Sequence, residues 1–205
     1  MNTEELKDLF CDLTGRQFDP DPFFKYLDIL LKWNAKVNLV GTNDPKRIIE
    51  ELIVDSLAPL PYLGSVRSLL DFGSGAGLPG IPLKLARPDL KVTLSEANAK
   101  KVSFLKEARR QLGIFDIIIC EGRLEDAENT KQDVIVSRGT ISITEIINRM
   151  KGLLAPSGSI ILFKGSMNNS EIRQAENMKD YTTQVISYGR PHRNIERRLV
   201  IMKSR

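Results

Sequence analysis

The spacing of apolar residues changes near the end of the first third of the chain. Residues 22–40 and 45–57 carry apolar side chains every three or four positions, which is the pattern of amphipathic helices. Further along, short apolar runs bounded by turn residues alternate with helical stretches. We therefore expect a helical N-terminal extension over residues 1–65, packed on a main α/β domain over residues 66–205.

Seven strands are predicted in the main domain. They lie at residues 66–72, 91–96, 115–120, 133–138, 157–165, 182–188 and 196–203. Helical stretches separate most of them, which indicates a parallel sheet covered by helices on both faces. The last two strands are joined by a connection too short for a helical crossover, so we expect them to pair antiparallel. The predicted fold is a mostly parallel seven-stranded sheet with an antiparallel edge strand.

The composition is that of a globular protein whose positive charge is concentrated at one end. The 205 residues are 41% hydrophobic and 27% charged, which supplies an ordinary core and argues against disorder. The net charge is +4, but residues 187–205 hold six basic residues and one acid, so the remainder has a net charge of −1. This distribution favours a nucleic-acid partner for the C-terminal segment.

Several classes of protein are excluded by what the chain lacks. The first ten residues contain three acids and do not have the basic-then-apolar order of a secretory signal. No apolar run approaches the roughly 20 residues of a membrane helix. Cys11 and Cys120 are far apart in sequence, and His192 is the one histidine, so a disulfide framework, a metal centre and a Ser-His-Asp triad are not expected. We expect a cytoplasmic protein that binds neither membrane nor metal.

The most specific segment reads LLDFGSGAGLPGIP and places a glycine cluster between a strand and a helix. Such a turn lets the backbone approach a ligand closely. The spacing Asp71-x-Gly73-x-Gly75-x-Gly77 resembles motif I of the class I S-adenosylmethionine methyltransferases. The spacing Gly75-x-Gly77-x-x-Gly80 also matches the dinucleotide fingerprint.

The flanking residues separate these two interpretations. Pro79 and Pro82 delay the start of the helix, which weakens a tight pyrophosphate site. Asp71 suits the zwitterionic amino-acid part of S-adenosylmethionine and would repel pyrophosphate. Glu96 ends the second strand, where it could accept the ribose hydroxyls of either cofactor. S-adenosylmethionine is favoured, while a nicotinamide-dependent oxidoreductase and a non-catalytic RNA-binding protein on a degenerate methyltransferase fold stay as alternatives.

Further segments resemble the ribosomal small-subunit methyltransferase G family. They are WNxxxNL at 33–39, DSL at 55–57, the glycine segment at 69–83, KKVSFL at 100–105, GRLE at 122–125, VSR at 136–138, FKG at 163–165 and ERRLV at 196–200. The resemblance implies a Rossmann-like class I methyltransferase fold and transfer of a methyl group to N7 of one guanine in 16S rRNA. The partner would be 16S rRNA or the small ribosomal subunit, and we expect a monomer.

The resemblance also implies which residues contact the cofactor. These are Gly73, Leu78, Leu124, Glu125 and Arg138, to which the turn itself adds Asp71, Gly75, Gly77 and Glu96. The chain departs from the family pattern where Leu52 and Arg198 replace histidines and Gly139 replaces alanine. These departures put in doubt any role of the missing histidines and leave the glycine turn untouched.

The expected chemistry needs little from the protein beyond placement. Guanine N7 carries a lone pair and no proton, so no general base is required, and no catalytic residue is assigned with certainty. Arg138 is the candidate for orienting the cofactor carboxylate or the guanine O6, with a phosphate contact or a surface ion pair as the alternatives. The candidates for RNA phosphate contact are Arg123, Lys164, Arg197 and Arg198.

Overall fold

The structure is a computed structural model that describes residues 1–122, 131–139, 142–165, 169–190 and 193–205. The strands are β1 (Ser68–Phe72), β2 (Lys91–Glu96), β3 (Ile118–Glu121), β4 (Gln132–Arg138), β5 (Leu154–Lys164), β6 (Tyr181–Arg190) and β7 (Arg193–Ser204). The helices are α1 (Thr3–Thr14), α2 (Asp21–Val37), α3 (Pro45–Ile48), α4 (Leu60–Leu63), α5 (Gly80–Ala86), α6 (Ala99–Leu112), α7 (Ile143–Met150) and α8 (Asn169–Glu176). A π-helical segment (Ile49–Val54) and a 3-10 turn (Asp55–Leu57) follow α3 directly.

The seven strands form one sheet in the order β3-β2-β1-β4-β5-β7-β6. Strands β1 to β5 pair parallel to one another, whereas β7 pairs antiparallel with both β5 and β6. The predicted α/β fold, its mostly parallel sheet and the antiparallel pairing of the last two strands are confirmed. The antiparallel strand β7 lies between β5 and β6, and β6 forms the outer edge of the sheet.

The strand boundaries differ from the predictions where apolar residues lie outside the sheet. The bounds of β2 are those predicted, but β3 begins at Ile118 instead of residue 115. Phe115 and Ile118 are 69% and 59% exposed, because β3 is an edge strand that begins in solvent. An apolar run does not distinguish a strand from the turn that leads into it.

The core has two layers because successive strand residues face opposite sides of the sheet. Leu69 and Leu94 pack on the side of the N-terminal helices, α5 and α6. Leu70 and Ile135 pack on the opposite side, against α7 and α8. Residues of α1, α2 and α3, including the fully buried Tyr26, belong to the first layer. The N-terminal helices therefore share one apolar core with the glycine turn and the sheet.

None of the helices in the described residues combines the length and apolarity needed to cross a bilayer. Within the same residues, no group of three or more His, Cys, Asp or Glu side chains is arranged to hold a metal ion.

Candidate cofactor site

The glycine turn connects the carboxyl end of β1 to the start of α5. Gly73, Gly75 and Gly77 have φ angles of +73°, +56° and +81°, which cost other L-residues about 1–2 kcal/mol each. The backbone N–H groups of Gly73 and Ser74 both donate to the Ser95 carbonyl, at 3.0 Å. The conformation of the turn is therefore fixed by glycine and anchored on the end of β2.

Two of these glycines leave their backbone open, and the third serves packing. A Cβ atom at Gly73 would meet nothing within 4 Å, and one at Gly75 would meet only the Gly73 carbonyl, at 3.9 Å. A Cβ atom at Gly77 would lie 2.8 Å from Ile81 Cγ1 and 3.1 Å from Leu105 Cδ2. Bare backbone beside open space is what a cofactor that approaches closely requires. Gly77 packs against α5 and α6, and its cofactor contact stays a prediction.

Asp71 stabilises the turn from inside the sheet. Its carboxylate is fully buried, and Oδ2 accepts a hydrogen bond of 2.8 Å from the Gly80 backbone N–H. Within the described residues, Oδ1 has no hydrogen-bond partner. Burial raises the pKa of Asp71 to about 7, although the Gly80 N–H and the charge of Arg138 oppose the shift. A direct contact of Asp71 with the cofactor is not supported, because the side chain positions the first residue of α5 instead.

Glu96 lies where β2 ends, beside the turn. Its Oε2 accepts a hydrogen bond from the Gly75 N–H, and its Oε1 accepts one from the Asn98 N–H, both at 2.8 Å. These bonds fix the orientation of the carboxylate between the turn and the start of α6. Each oxygen has a further lone pair, and the side chain is half-buried, so Glu96 can still accept two ribose hydroxyls.

A cleft of about 440 Å³ opens beside the turn, a volume within the roughly 300–1,000 Å³ usual for small-molecule sites. Residues 73–76 and Leu78 line one wall. Residues 39–42 of the N-terminal segment line another, and Arg47, Lys101 and Arg138 bring positive charge to the lining. The open backbone, the oriented Glu96 carboxylate and this volume fit a nucleoside cofactor with an amino-acid carboxylate.

The N-terminal wall of the cleft is shaped by Asn34. Its Oδ1 accepts a hydrogen bond from the Val40 N–H at 2.8 Å, and its Nδ2 donates to the Thr42 carbonyl at 3.0 Å. Asn38 ends α2 in the left-handed conformation, with φ of +51°. Asn34 thus bonds the backbone of the loop, and Asn38 ends the helix. Sequence analysis did not show that the loop they shape lines the cleft.

Tyr26 connects α2 to the glycine turn. Its hydroxyl donates a hydrogen bond to the Ala76 carbonyl, and its ring is fully buried. In the sequence Tyr26 is one member of an apolar helical stripe, and nothing in that pattern distinguishes a core tyrosine from one that reaches the site. The contact depends on tertiary packing alone.

Arg138 lines the cleft from the end of β4. Its Nη2 donates to the Glu51 carbonyl at 2.7 Å, and its Nη1 donates to the Leu52 carbonyl at 3.0 Å. Nη2 also lies 2.9 Å from Asp55 Oδ2. Burial lowers the pKa of Arg138 from its ordinary value, and the charge of Asp55 opposes that change. Arg138 lies at the carboxyl end of β4, and its ion pair is not a surface pair, because its partner Asp55 is fully buried.

The structure describes three of the four predicted RNA contacts. Lys164 is 9% exposed and its ammonium lies 3.2 Å from Glu171, so it does not present its charge to a phosphate. Arg197 is 23% exposed and pairs with the buried Asp55 at 3.2 Å. Neither assignment is supported, because both cations are bound within the protein. Arg198 is half-buried on β7. Arg123, Leu124 and Glu125 lie outside the described residues.

A Rossmann-like sheet with this glycine turn and acidic strand end defines a class I S-adenosylmethionine-dependent methyltransferase. A solved ribosomal protein L11 methylase from Lactobacillus delbrueckii subsp. bulgaricus has the same fold. It superposes with a TM-score of 0.60 at 17% identity, covering 76% of this chain and 80% of that one.

Sequence comparisons identify the family within this class. The family described as GidB, rRNA small subunit methyltransferase G, matches residues 21–199. Proteins named ribosomal RNA small subunit methyltransferase G from Xanthomonas oryzae pv. oryzae and Neisseria gonorrhoeae are 41% and 36% identical over 152 residues. The matches cover 74% of this chain and 71% and 73% of those relatives. The chain belongs to the rRNA small subunit methyltransferase G family.

Membership settles the reaction class. The protein is an S-adenosylmethionine-dependent methyltransferase that acts on small-subunit ribosomal RNA. The nicotinamide-dependent oxidoreductase and the non-catalytic RNA-binding protein are therefore set aside. The glycine turn was the correct part of the sequence on which to decide between them.

Proposed function

We propose that this methyltransferase transfers its methyl group to N7 of one guanine in 16S rRNA. The observation that carries the proposal is the open backbone of Gly73 and Gly75 beside the oriented Glu96 carboxylate. Family membership supports RNA as the substrate, and the chemistry of guanine supports N7 as the atom. N7 has a lone pair and no proton, so it reacts without a base that first removes one.

The residues of the cleft have distinct proposed roles. When bound, S-adenosylmethionine supplies an electrophilic methyl group on a positively charged sulfur. Gly73 and Gly75 would let the cofactor approach the backbone, and Glu96 would accept its ribose hydroxyls. Arg138 would place a positive charge at the cleft wall for the cofactor carboxylate. Leu78 lines the same wall, where it would exclude water from the reacting atoms.

Two further cofactor contacts are proposed from the family motif alone. Leu124 and Glu125 follow β3 in the sequence and would contact the cofactor. Arg123 and Arg198 stay proposed phosphate contacts on the sequence alone. The excess positive charge of the C-terminal segment supports RNA binding there.

We also propose that residues 1–65 are a helical extension packed on a catalytic domain of residues 66–205. The shared apolar layer and the Tyr26 bond to the turn support this organisation. On this view the extension is part of the site and not an appendage to it. We place the enzyme in the cytoplasm because its substrate is ribosomal RNA, and we propose that it acts as a monomer.

Methylation with labelled cofactor tests the proposal. Bare 16S rRNA, assembled small subunits and transfer RNA are each incubated with the enzyme, and the modified base is mapped by nucleoside mass spectrometry and strand scission. We expect one N7-methylguanosine in 16S rRNA, supplied bare or in the subunit. Gly75→Val, which fills the open backbone, should abolish the label, while Gly152→Ala, which meets nothing within 4 Å, should not. Label on another base or another atom would refute the assignment of N7.

A further inference from the structure

A further carboxylate, that of Asp55, lies beside the cleft and has no part in the glycine turn. Asp55 begins the 3-10 turn of the N-terminal segment, and its side chain is fully buried. Its Oδ2 lies 2.9 Å from Arg138 Nη2 and 3.2 Å from Arg197 Nη1. Its Oδ1 accepts a hydrogen bond of 3.2 Å from the Tyr188 hydroxyl. One buried acid thus joins the cleft wall to the two C-terminal strands.

The surroundings of Arg138 make Asp55 its charge partner. Its other hydrogen-bond acceptors in the described part of the chain are neutral: the carbonyls of Glu51 and Leu52, and Ser56 Oγ at 3.2 Å. Both carbonyls belong to the π-helical segment that leads into Asp55. Within the described residues, Asp55 is the one carboxylate in ion-pair contact with Arg138. Both terminal nitrogens of the guanidinium are therefore fixed by a continuous stretch of the N-terminal segment.

A buried guanidinium depends strongly on such a partner. Taking a charge out of water costs several kcal/mol, and an opposite charge in good geometry offsets that cost. Breaking a buried pair by removing one partner leaves an uncompensated charge, which then moves toward solvent or destabilises the fold. Without Asp55, the Arg138 guanidinium would be more stable in solvent than in the position in which it lines the cleft.

We propose that Asp55 is a positioning residue of the cofactor site, which keeps the Arg138 guanidinium fixed at the cleft wall where it meets the cofactor carboxylate. The inference rests on the proposed role of Arg138. It assigns a role in cofactor binding to the N-terminal extension, residues 1–65, which does not contain the glycine motif. Asp55 itself touches neither the cofactor nor the RNA in this scheme.

The test compares cofactor affinity and kinetics in four variants. Asp55→Asn removes the charge at nearly the same volume. Tyr188→Phe is the matched control, because it removes a hydrogen bond from Asp55 while leaving both ion pairs. Arg138→Met and the double variant Asp55→Asn/Arg138→Met complete a double-mutant cycle. Calorimetry gives the Kd for S-adenosylmethionine, and methylation of rRNA gives KM and kcat.

We expect Asp55→Asn to raise the Kd and the KM for S-adenosylmethionine about tenfold, the effect of misplacing one charge-assisted hydrogen bond. The kcat at saturating cofactor should change less than the KM, and Tyr188→Phe should bind like wild type. The double variant should bind no more weakly than Arg138→Met, because Asp55 acts through Arg138. A purely structural role would not produce this non-additivity.

Two results would overturn the proposal: a folded Asp55→Asn protein with wild-type affinity, or losses that multiply in the double variant. If Asp55→Asn does not fold, the double variant Asp55→Asn/Arg138→Met provides the test. It has no charge at position 138 that lacks a partner, and the charge of Arg197 can be solvated. A double variant weaker than Arg138→Met then refutes the positioning role. Failure of the wild-type protein to bind S-adenosylmethionine would instead refute the proposed function.

Discussion

The buried Asp71 should make the stability of this enzyme fall as the pH rises. Burial raises the pKa of this carboxyl from 3.8 to about 7, so the fold favours the neutral form. The stabilisation from this group is therefore complete below the unfolded pKa and is lost as the pH rises through about 7. Asp71→Asn keeps an oxygen for the Gly80 N–H and cannot ionise, so it should remove this dependence.

The size of the effect follows from the two pKa values. Each unit of difference corresponds to about 1.4 kcal/mol, which gives about 4 kcal/mol over the full range. Between about pH 4.5 and pH 7.5, the free energy of unfolding of wild type should fall by about 3 kcal/mol relative to Asp71→Asn. Taking this difference at each pH cancels the titration of the other groups.

Urea unfolding at the two pH values measures it, with Trp33 fluorescence as the probe, since Trp33 is the one tryptophan and packs edge-on to Phe104. Asp133→Asn is the control, because backbone N–H groups of Arg67 and Ser68 lower the pKa of Asp133. That variant should lose stability equally at both values. If the free energy of unfolding of wild type and Asp71→Asn changed with pH in parallel, ionisation of Asp71 would not destabilise the folded state. That result would refute the reasoning.

Three other substitutions test the turn. Gly80→Ala places a Cβ 2.9 Å from Asp71 Oδ2 and against Leu94, so it should lower the free energy of unfolding by about 1–3 kcal/mol, measured by thermal melting. The control Gly152→Ala should change it by less than about 0.5 kcal/mol. Equal melting temperatures would contradict this packing. Tyr26→Phe leaves the Ala76 carbonyl without its buried donor and should cost about 1–3 kcal/mol in urea unfolding; an unchanged midpoint would argue against the bond. Glu96→Gln should weaken S-adenosylmethionine binding about tenfold by calorimetry, and wild-type affinity would exclude Glu96 as the ribose acceptor.

Local patterns were sufficient for the elements of the sheet. Alternating apolar runs and helical stripes predicted seven strands, and a short connection predicted the antiparallel pairing of β6 and β7. Those inferences rest on neighbours in sequence, where period and turn length limit what the backbone can do. The position of β7 between β5 and β6 was not predictable in the same way, because it depends on which edge the hairpin joins.

The roles of charged residues were harder to predict than their presence. Lys164 and Arg197 were predicted as RNA contacts because they are cationic, and Arg197 also lies in the basic segment 187–205. Their partners, Glu171 and Asp55, are 7 and 142 residues away in sequence. The pattern of charges along the chain does not show which carboxylate lies next to a given cation after folding. The partner of Arg197, which is distant in sequence, was therefore not predictable.

The sequence alone determined the fold class and the glycine turn, because glycines at fixed spacing and alternating periods constrain the backbone locally. The family was identified from the resemblance of its motifs to those of known proteins. Only the tertiary structure showed that Asp71 is buried behind the turn, that Tyr26 reaches the turn from α2, and that Asp55 pairs with Arg138. These contacts join segments separated by up to 83 residues. They depend on how the helices pack on the sheet, and burial, which sets their energies, exists only once that packing is formed.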